Sequence, residues 1–251
     1  MVDTSPSAAI AVAASVATVS LALYVVKLRA ELGAFAGKKT VKTTTKTSTT
    51  ARNAQGERLW TAEELIATRR SIYPESYDPT RKVPRVIVER MLEAANWAPT
   101  HSRTEPWRFV VFESEEARVA LGQLQADIYK KMVPADRFLQ KKYNKAIESK
   151  KQSSYVIAIC MQRQKSEKLP EVEEVCAVAC AVQNMHLVAT AHGVGAYWSS
   201  GPPIMSQDMK DFLKLGAKDQ CLGLFYVGHP TGSHPDGARK PIAEKVQWIG
   251  H

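Results

Sequence analysis

The sequence predicts a single mixed body of helices and short strands, carried behind an N-terminal apolar segment and a polar linker. Three observations lead there. With 251 residues, 45% hydrophobic and 24% charged, the chain holds apolar material for one full-sized core and little for a second. The runs Trp107 to Phe112 (WRFVVF) and Ser154 to Met161 (SYVIAICM) are β-branched and aromatic, and too brief for buried helices. The stretch from Val175 to Ala191 is hydrophobic nearly all round, the pattern of a helix at the centre of a core.

Residues 1–30 read as a membrane segment. No charge occurs between Thr4 and Val26, and the run from Ala8, at about 1.5 Å per residue, is long enough to cross a hydrocarbon layer of about 30 Å. A cleavable targeting peptide competes with this reading, although the first residues carry Asp3 and no Lys or Arg, the wrong charge for one. Every nearby basic residue, from Lys27 to Lys46, follows the span, so the positive-inside rule places a single-pass protein with its body in the cytosol. On the competing reading, the body is delivered to an organelle and the segment removed. Residues 31–58 form a Thr- and Lys-rich linker, too poor in apolar groups to offset chain entropy. We expect a disordered basic tether whose lysines can rest on anionic headgroups.

The body spans residues 59–251. Thr61-Ala62-Glu63-Glu64 has the form of a capping box and opens a helix to about Arg70. Val83-Pro84 starts a second helix, with Val86, Ile87, Met91, Leu92 and Ala95 at helical spacing until Pro99. Residues 115–151 are helical in pattern, broken by Pro134. The core helix is capped by Gly193, and a strand follows near Val194 to Trp198. A turn at Gly201-Pro202-Pro203 leads to a helix near Gln207 to Leu215, a strand at Cys221 to Val227, and a terminal arm from His229 that lies on a surface or on another subunit.

Charge and cysteine usage exclude several classes. Of the net +9, residues 27–58 supply +6 and residues 59–251 only +4, so the basicity belongs mainly to the linker and nucleic acid is not an expected partner. The cluster Lys141, Lys142, Lys145, Lys150 and Lys151 lacks aromatic interleaving and reads as a solvated helix face. Cys160, Cys176, Cys180 and Cys221 sit in apolar runs with no zinc-ligand spacing, and read as buried, reduced thiols of a reducing compartment. Signatures of a nucleophile-elbow hydrolase, a P-loop NTPase and a zincin are missing. His101, His186 and His192 make no metal-ligand spacing with carboxylates, and His186 reads as a satisfied core histidine.

Three features carry chemistry. Arg69-Arg70-Ser71 ends the first helix, where two guanidiniums and a hydroxyl suit a phosphate. On those residues alone, simple complementation of the helix dipole is the plainer account. Arg239-Lys240 in the arm is, alone, an ordinary surface pair. The segment GVGAYWSSG, from Gly193 to Gly201, joins the core helix to a strand with small residues that let backbone approach a flat ligand. It ends a helix where a dinucleotide fingerprint would begin one, which disfavours a Rossmann site.

Taken in order, RRS (Arg69 to Ser71), APTHSRTEPW (Ala98 to Trp107), GVGAYWSSGP after the core helix, LGLFYVGHP, and ARKPIAEKVQW at the end resemble the FMN-dependent nitroreductase family over nearly all of residues 61–251. The core helix and the W-S-S-G stretch are most similar to the small bacterial members of the YdjA type. That resemblance implies an α+β fold with a central mixed or antiparallel sheet flanked by helices, assembled as an intertwined homodimer with FMN at the subunit interface. By position, Arg69, Arg70 and Ser71 would hold the FMN phosphate and ribityl side, with Arg239 and Lys240 reaching the phosphate from the arm. The loop Thr100 to Glu105 would come from the partner subunit, His101 being its main contact. Trp198, Ser199 and Ser200 would line the ring near N5, and a nicotinamide would stack near Val188 to Gly193.

The implied activity is transfer of hydride from NAD(P)H, in a ping-pong cycle, to a small-molecule acceptor such as a nitroaromatic or quinone. The cofactor carries the chemistry, so no acid–base triad is needed. Arg103 and Arg108 are candidates for positive charge near the reduced ring. Glu105 before Pro106-Trp107, where many relatives have Gln, is similar to iodotyrosine deiodinase, which makes reductive dehalogenation the alternative activity. A flavin-binding membrane module without turnover is the alternative from another class.

Overall fold

The computed structural model describes Arg52, residues 58–234 and residues 236–250. The expected membrane segment and nearly all of the linker lie outside the described residues. The chain divides into two compact units, one running to Gly237 and one holding the described residues from Ala238 onward, and each is considered by itself.

The larger unit has three layers. Its sheet comprises β1 (Trp107–Phe112), β2 (Tyr155–Met161), β3 (Gly195–Ser199) and β4 (Gln220–Gly228) in the order β1-β2-β4-β3. All three pairings among the described residues are antiparallel, which decides between the mixed and antiparallel sheets considered from sequence. The central strand β2 is buried along its whole length, which explains its unbroken apolar sequence. Its side chains alternate between two cores. Tyr155, Ile157, Ile159 and Met161 join Phe225 and Val227 of β4 against helices α2 (Arg85–Asn96) and α5 (Glu171–Ala191). Val156, Ala158 and Cys160 join Leu224 and Tyr226 against α3 (Glu115–Met132) and α6 (Gln207–Phe212). Full burial of each such aliphatic side chain is worth about 1.5–3 kcal/mol, so the alternation fixes both register and layer order.

Local signals behave as their chemistry requires. Thr61 caps α1 (Ala62–Thr68), accepting from the Glu64 amide while the Glu64 carboxylate accepts from the Thr61 amide. The core helix α5 begins at Glu171, one turn before its apolar run, with three acidic residues in its first turn. It ends in a Schellman motif. Gly193, at φ 66°, donates to Thr190 O at 3.0 Å, and Val194 donates to Ala189 O at 2.8 Å. At 21 residues α5 is long and apolar enough to cross a membrane, but Ala177, Val178, Ala181, Val182, Met185 and Ala189 are buried in the core.

Three expectations are corrected. Cys176 and Cys180 lie exposed on the open face of α5, so only Cys160 and Cys221 are buried thiols. The helix near residue 207 stops at Phe212, because Lys214 adopts φ 56° and turns the chain. Lys150, on α4 (Gln140–Gln152), is fully buried and does not belong to a solvated face. Its Nζ donates to Gln125 Oε1 and, at 2.8 Å, to the Tyr226 hydroxyl. Its carbonyl is capped by the buried Arg118 at 3.1 Å. Lys145 stays exposed and pairs with Glu75 at the surface.

Beyond β4 the chain returns along residues 76–78. Asp78 N–H donates to His229 O and Thr231 N–H to Ser76 O, both at 2.8 Å. The smaller unit carries a short 3-10 turn, Ile242–Lys245, and exposes Ile242, Trp248 and Ile249.

Candidate functional site

Two segments meet at the free side of β3. One is the extended stretch after α1, Arg69 to Tyr73, and the other is β3 itself. Ile72 N–H donates to Ala196 O at 2.9 Å. The buried imidazole of His186 places Nε2 at 2.9 Å from both Arg70 O and Ala196 O. Tyr77 donates its hydroxyl to Ile72 O at 2.7 Å, and the Tyr73 and Tyr197 rings touch with centroids 4.5 Å apart. The structure thus brings Arg69, Arg70 and Ser71 beside the strand that carries Trp198 and Ser199.

Arg70 serves the helix end with part of its fork. Nη1 donates to Ala67 O (2.6 Å) and Arg69 O (2.9 Å), serving carbonyls at the end of α1 as the dipole account requires. The rest of its fork has no partner among the described residues, and Ser71 beside it is exposed. The backbone of Gly237 lies against this guanidinium so closely that a Cβ there would sit 2.7 Å from Cζ. Arg69 is half-buried, and its charge acts on His186.

The glycines of GVGAYWSSG have separate tasks. Gly193 terminates α5. Gly195 packs against protein, since a Cβ there would meet Tyr77 at 2.9 Å and Ile72 at 3.3 Å. At this one position of the segment, Ile72 and Tyr77 occupy the space a ligand would need. Trp198 lies across Gly223 of β4, which sits at φ 151°, and the Trp198 Nε1 is buried without a partner among the described residues. Ser199 is half-buried and Ser200 is exposed, just before an open bend at Gly201.

The loop from Thr100 to Glu105 is strained. Ser102 (φ 52°), Arg103 (φ 54°) and Glu105 (φ 42°) all adopt left-handed backbone, which non-glycine residues rarely do. His101 is exposed, with Nδ1 2.5 Å from Glu173 Oε2 on α5. Arg103 is exposed. Arg108 donates to Glu105 O (2.9 Å) and Trp107 O (2.6 Å), bracing the loop's exit into β1. Arg239 and Lys240 lie in the smaller unit, both exposed, with Arg239 donating to Ala238 O at 2.7 Å. His186 and Tyr77, which hold the two segments together, were not among the site residues expected from sequence. The single histidine within the core helix was the available signal.

Comparison with known proteins agrees with this fold. A profile described as "Nitroreductase family" matches residues 66–229. The Bacillus subtilis protein named "Putative NAD(P)H nitroreductase YfhC" is 27% identical over 182 residues, covering 72% of this chain and 91% of the relative. The Escherichia coli protein YdjA, with the same descriptive name, is 26% identical over 148 residues, 57% of this chain and 75% of the relative. Among solved structures, a nitroreductase-like family protein from Bacillus cereus superposes with a TM-score of 0.64 at 22% identity, covering 77% of this chain and 98% of that one. A nitroreductase with bound FMN from Bacteroides fragilis gives 0.59 at 17% identity, covering 76% and 100%.

Proposed function

Because the chain belongs to the nitroreductase family, we propose that it is an FMN-dependent oxidoreductase that uses NAD(P)H to reduce nitroaromatic or quinone-type acceptors, donor and acceptor occupying one site in turn. The observation that carries this reading is the junction of Arg69-Arg70-Ser71 with β3, where a basic anion-binding end and a strand able to flank a planar ring are held together by Ile72 and His186. The names of YfhC and YdjA and the FMN in the Bacteroides fragilis structure support it.

The residues present fit FMN. The open part of the Arg70 fork and the exposed Ser71 hydroxyl suit a phosphate, and the unpartnered Trp198 Nε1 leaves a polar donor at the strand that would flank the ring. Bound FMN supplies two-electron redox chemistry, so this chain's task is binding, orientation and exclusion of water. Arg69, Arg70 and Ser71 hold the phosphate and ribityl side, while Trp198, Ser199 and Ser200 shape the ring's edge. His101, displayed on its strained loop, serves the site of a second copy in a homodimer. The exposed Val172, Cys176 and Cys180 on one face of α5, with Trp97 80% exposed at the end of α2, offer apolar surface for that assembly. The apolar run within residues 1–30 tethers the enzyme to a membrane.

The test is a visible spectrum of the full-length protein before and after anaerobic NADH or NADPH. Acceptors are then added, including a quinone, a nitroaromatic and iodotyrosine. A yellow protein that bleaches and recovers with the first two supports the proposal, and recovery with iodotyrosine alone would favour dehalogenation. A colourless protein that takes up no added FMN sinks it.

A further inference from the structure

His186 is a buried histidine whose hydrogen bonding has one arrangement. Its Nε2 faces two backbone carbonyls, Arg70 O and Ala196 O, each at 2.9 Å. Carbonyl oxygens only accept, so Nε2 carries the hydrogen and donates to both. The ring stands edge-on to Phe225, with centroids 5.3 Å apart and planes at 88°, which fixes its orientation. Burial, reinforced by the charge of Arg69, lowers its pKa to about 4, so the ring is neutral at physiological pH.

We propose that His186 is a positioning residue of the flavin site, whose ring N–H sets the separation between the phosphate-binding segment and the ring-flanking strand. The two carbonyls belong to those two segments. Arg70 O lies between the side chains of Arg70 and Ser71, and Ala196 O lies two residues before Trp198. Ile72 N–H donates to the same Ala196 oxygen, so the amide and the imidazole together hold the junction. A ligand anchored by its phosphate in the Arg69 to Ser71 segment senses the spacing most, whereas riboflavin, which meets that segment through its ribityl chain alone, senses it far less. His186 therefore governs the preference for FMN over riboflavin, which differ by the phosphate. This role rests on the proposed FMN site.

The test compares wild-type protein with His186→Leu and His186→Gln, measuring dissociation constants of FMN and riboflavin by flavin fluorescence. In His186→Leu, FMN affinity is expected to fall about tenfold while riboflavin affinity changes less than about twofold, the lost donor being worth one hydrogen bond. His186→Gln, which keeps an N–H donor, is expected to recover part of the FMN preference. Full-length wild-type protein labelled with 15N-histidine gives a second readout even if His186→Leu fails to fold. His186 is expected as the Nε2–H tautomer, with a chemical shift that responds to FMN and not to riboflavin. Equal loss of both flavins, unchanged preference in His186→Leu, or an unprotonated Nε2 overturns the role alone. Wild-type protein that binds neither flavin overturns the cofactor reading and this role with it.

Discussion

Lys150 Nζ donates to the Tyr226 hydroxyl at 2.8 Å, with both side chains buried. The bond joins α4 to the central sheet, and Gln125 of α3 receives a second bond from the same amine. Burial lowers the Lys150 pKa to about 7 and pushes that of the Tyr226 hydroxyl well above the ordinary phenol range. Near neutrality the amine is therefore close to half-charged, inside a junction of three elements.

A pH dependence follows from the lowered Lys150 pKa. Between pH 7 and about 10.5 the unfolded chain holds a proton on this amine that the folded protein has largely released. Stability from this group therefore rises with pH across that window, by up to about 1.4 kcal/mol per unit. Lys150→Met removes the titration. Urea unfolding from pH 7 to 10 should give a wild-type curve that climbs relative to the variant, and parallel curves would contradict the assignment.

The same lysine shows where sequence reading stops. The strands were legible because β-branched and aromatic runs state their own conformation, and β1 occupies the six residues expected of it. The Thr61 capping box and the Gly193 stop are local devices, and both formed. Lys150 sits among five lysines that look alike in sequence, and only the docking of α4 on Tyr226 and Gln125 tells it from its exposed neighbour Lys151. Cys176 and Cys180 fail for the converse reason, since an apolar helix does not say which of its faces the sheet covers. At the candidate site, Arg69 to Ser71 and Trp198 to Ser200 were singled out by motif, but the histidine that joins the two segments has a partner 116 residues away.

The Arg163–Glu174 pair should be costly to break. It is 10% and 1% exposed, and Arg163 also donates to Leu169 O at 2.7 Å, so it fixes the entry to α5. Removing one partner strands a buried charge, and Glu174→Ala is expected to lower unfolding free energy by about 3 kcal/mol. Replacement of both by Met and Leu should cost less, and a cheap single variant would show that water reaches the pair. Chemical denaturation of wild type and the two variants decides.

Two glycines should differ in the reason for their cost. Gly193→Ala meets nothing within 4 Å, so only its left-handed backbone is strained, about 1 kcal/mol. Gly223→Ala combines φ 151° with a Cβ placed 2.2 Å from Trp198 Nε1 and 2.5 Å from Ser199 O. It should cost more than twice as much and, by moving Trp198, should alter indole fluorescence and flavin uptake, which Gly193→Ala should leave unchanged. Thermal melts and fluorescence spectra of the two proteins make the comparison, and equal behaviour would remove Trp198 from the site.

Arg70 tests the anion-binding end directly. Arg70→Ala loses both the carbonyl bonds at the end of α1 and the open fork, whereas Arg70→Lys keeps the charge without the fork. A charged hydrogen bond is worth about 1.5–3 kcal/mol, so FMN affinity should fall roughly 10- to 100-fold in Arg70→Ala and less in Arg70→Lys. Riboflavin binding should barely respond in either. The wild-type preference for FMN should also weaken with added salt, because part of it is attraction between exposed charges. Titrations of both flavins at two ionic strengths give all of these comparisons. A fall in riboflavin affinity equal to that for FMN would mean that Arg70 supports the end of α1 and does not meet a phosphate.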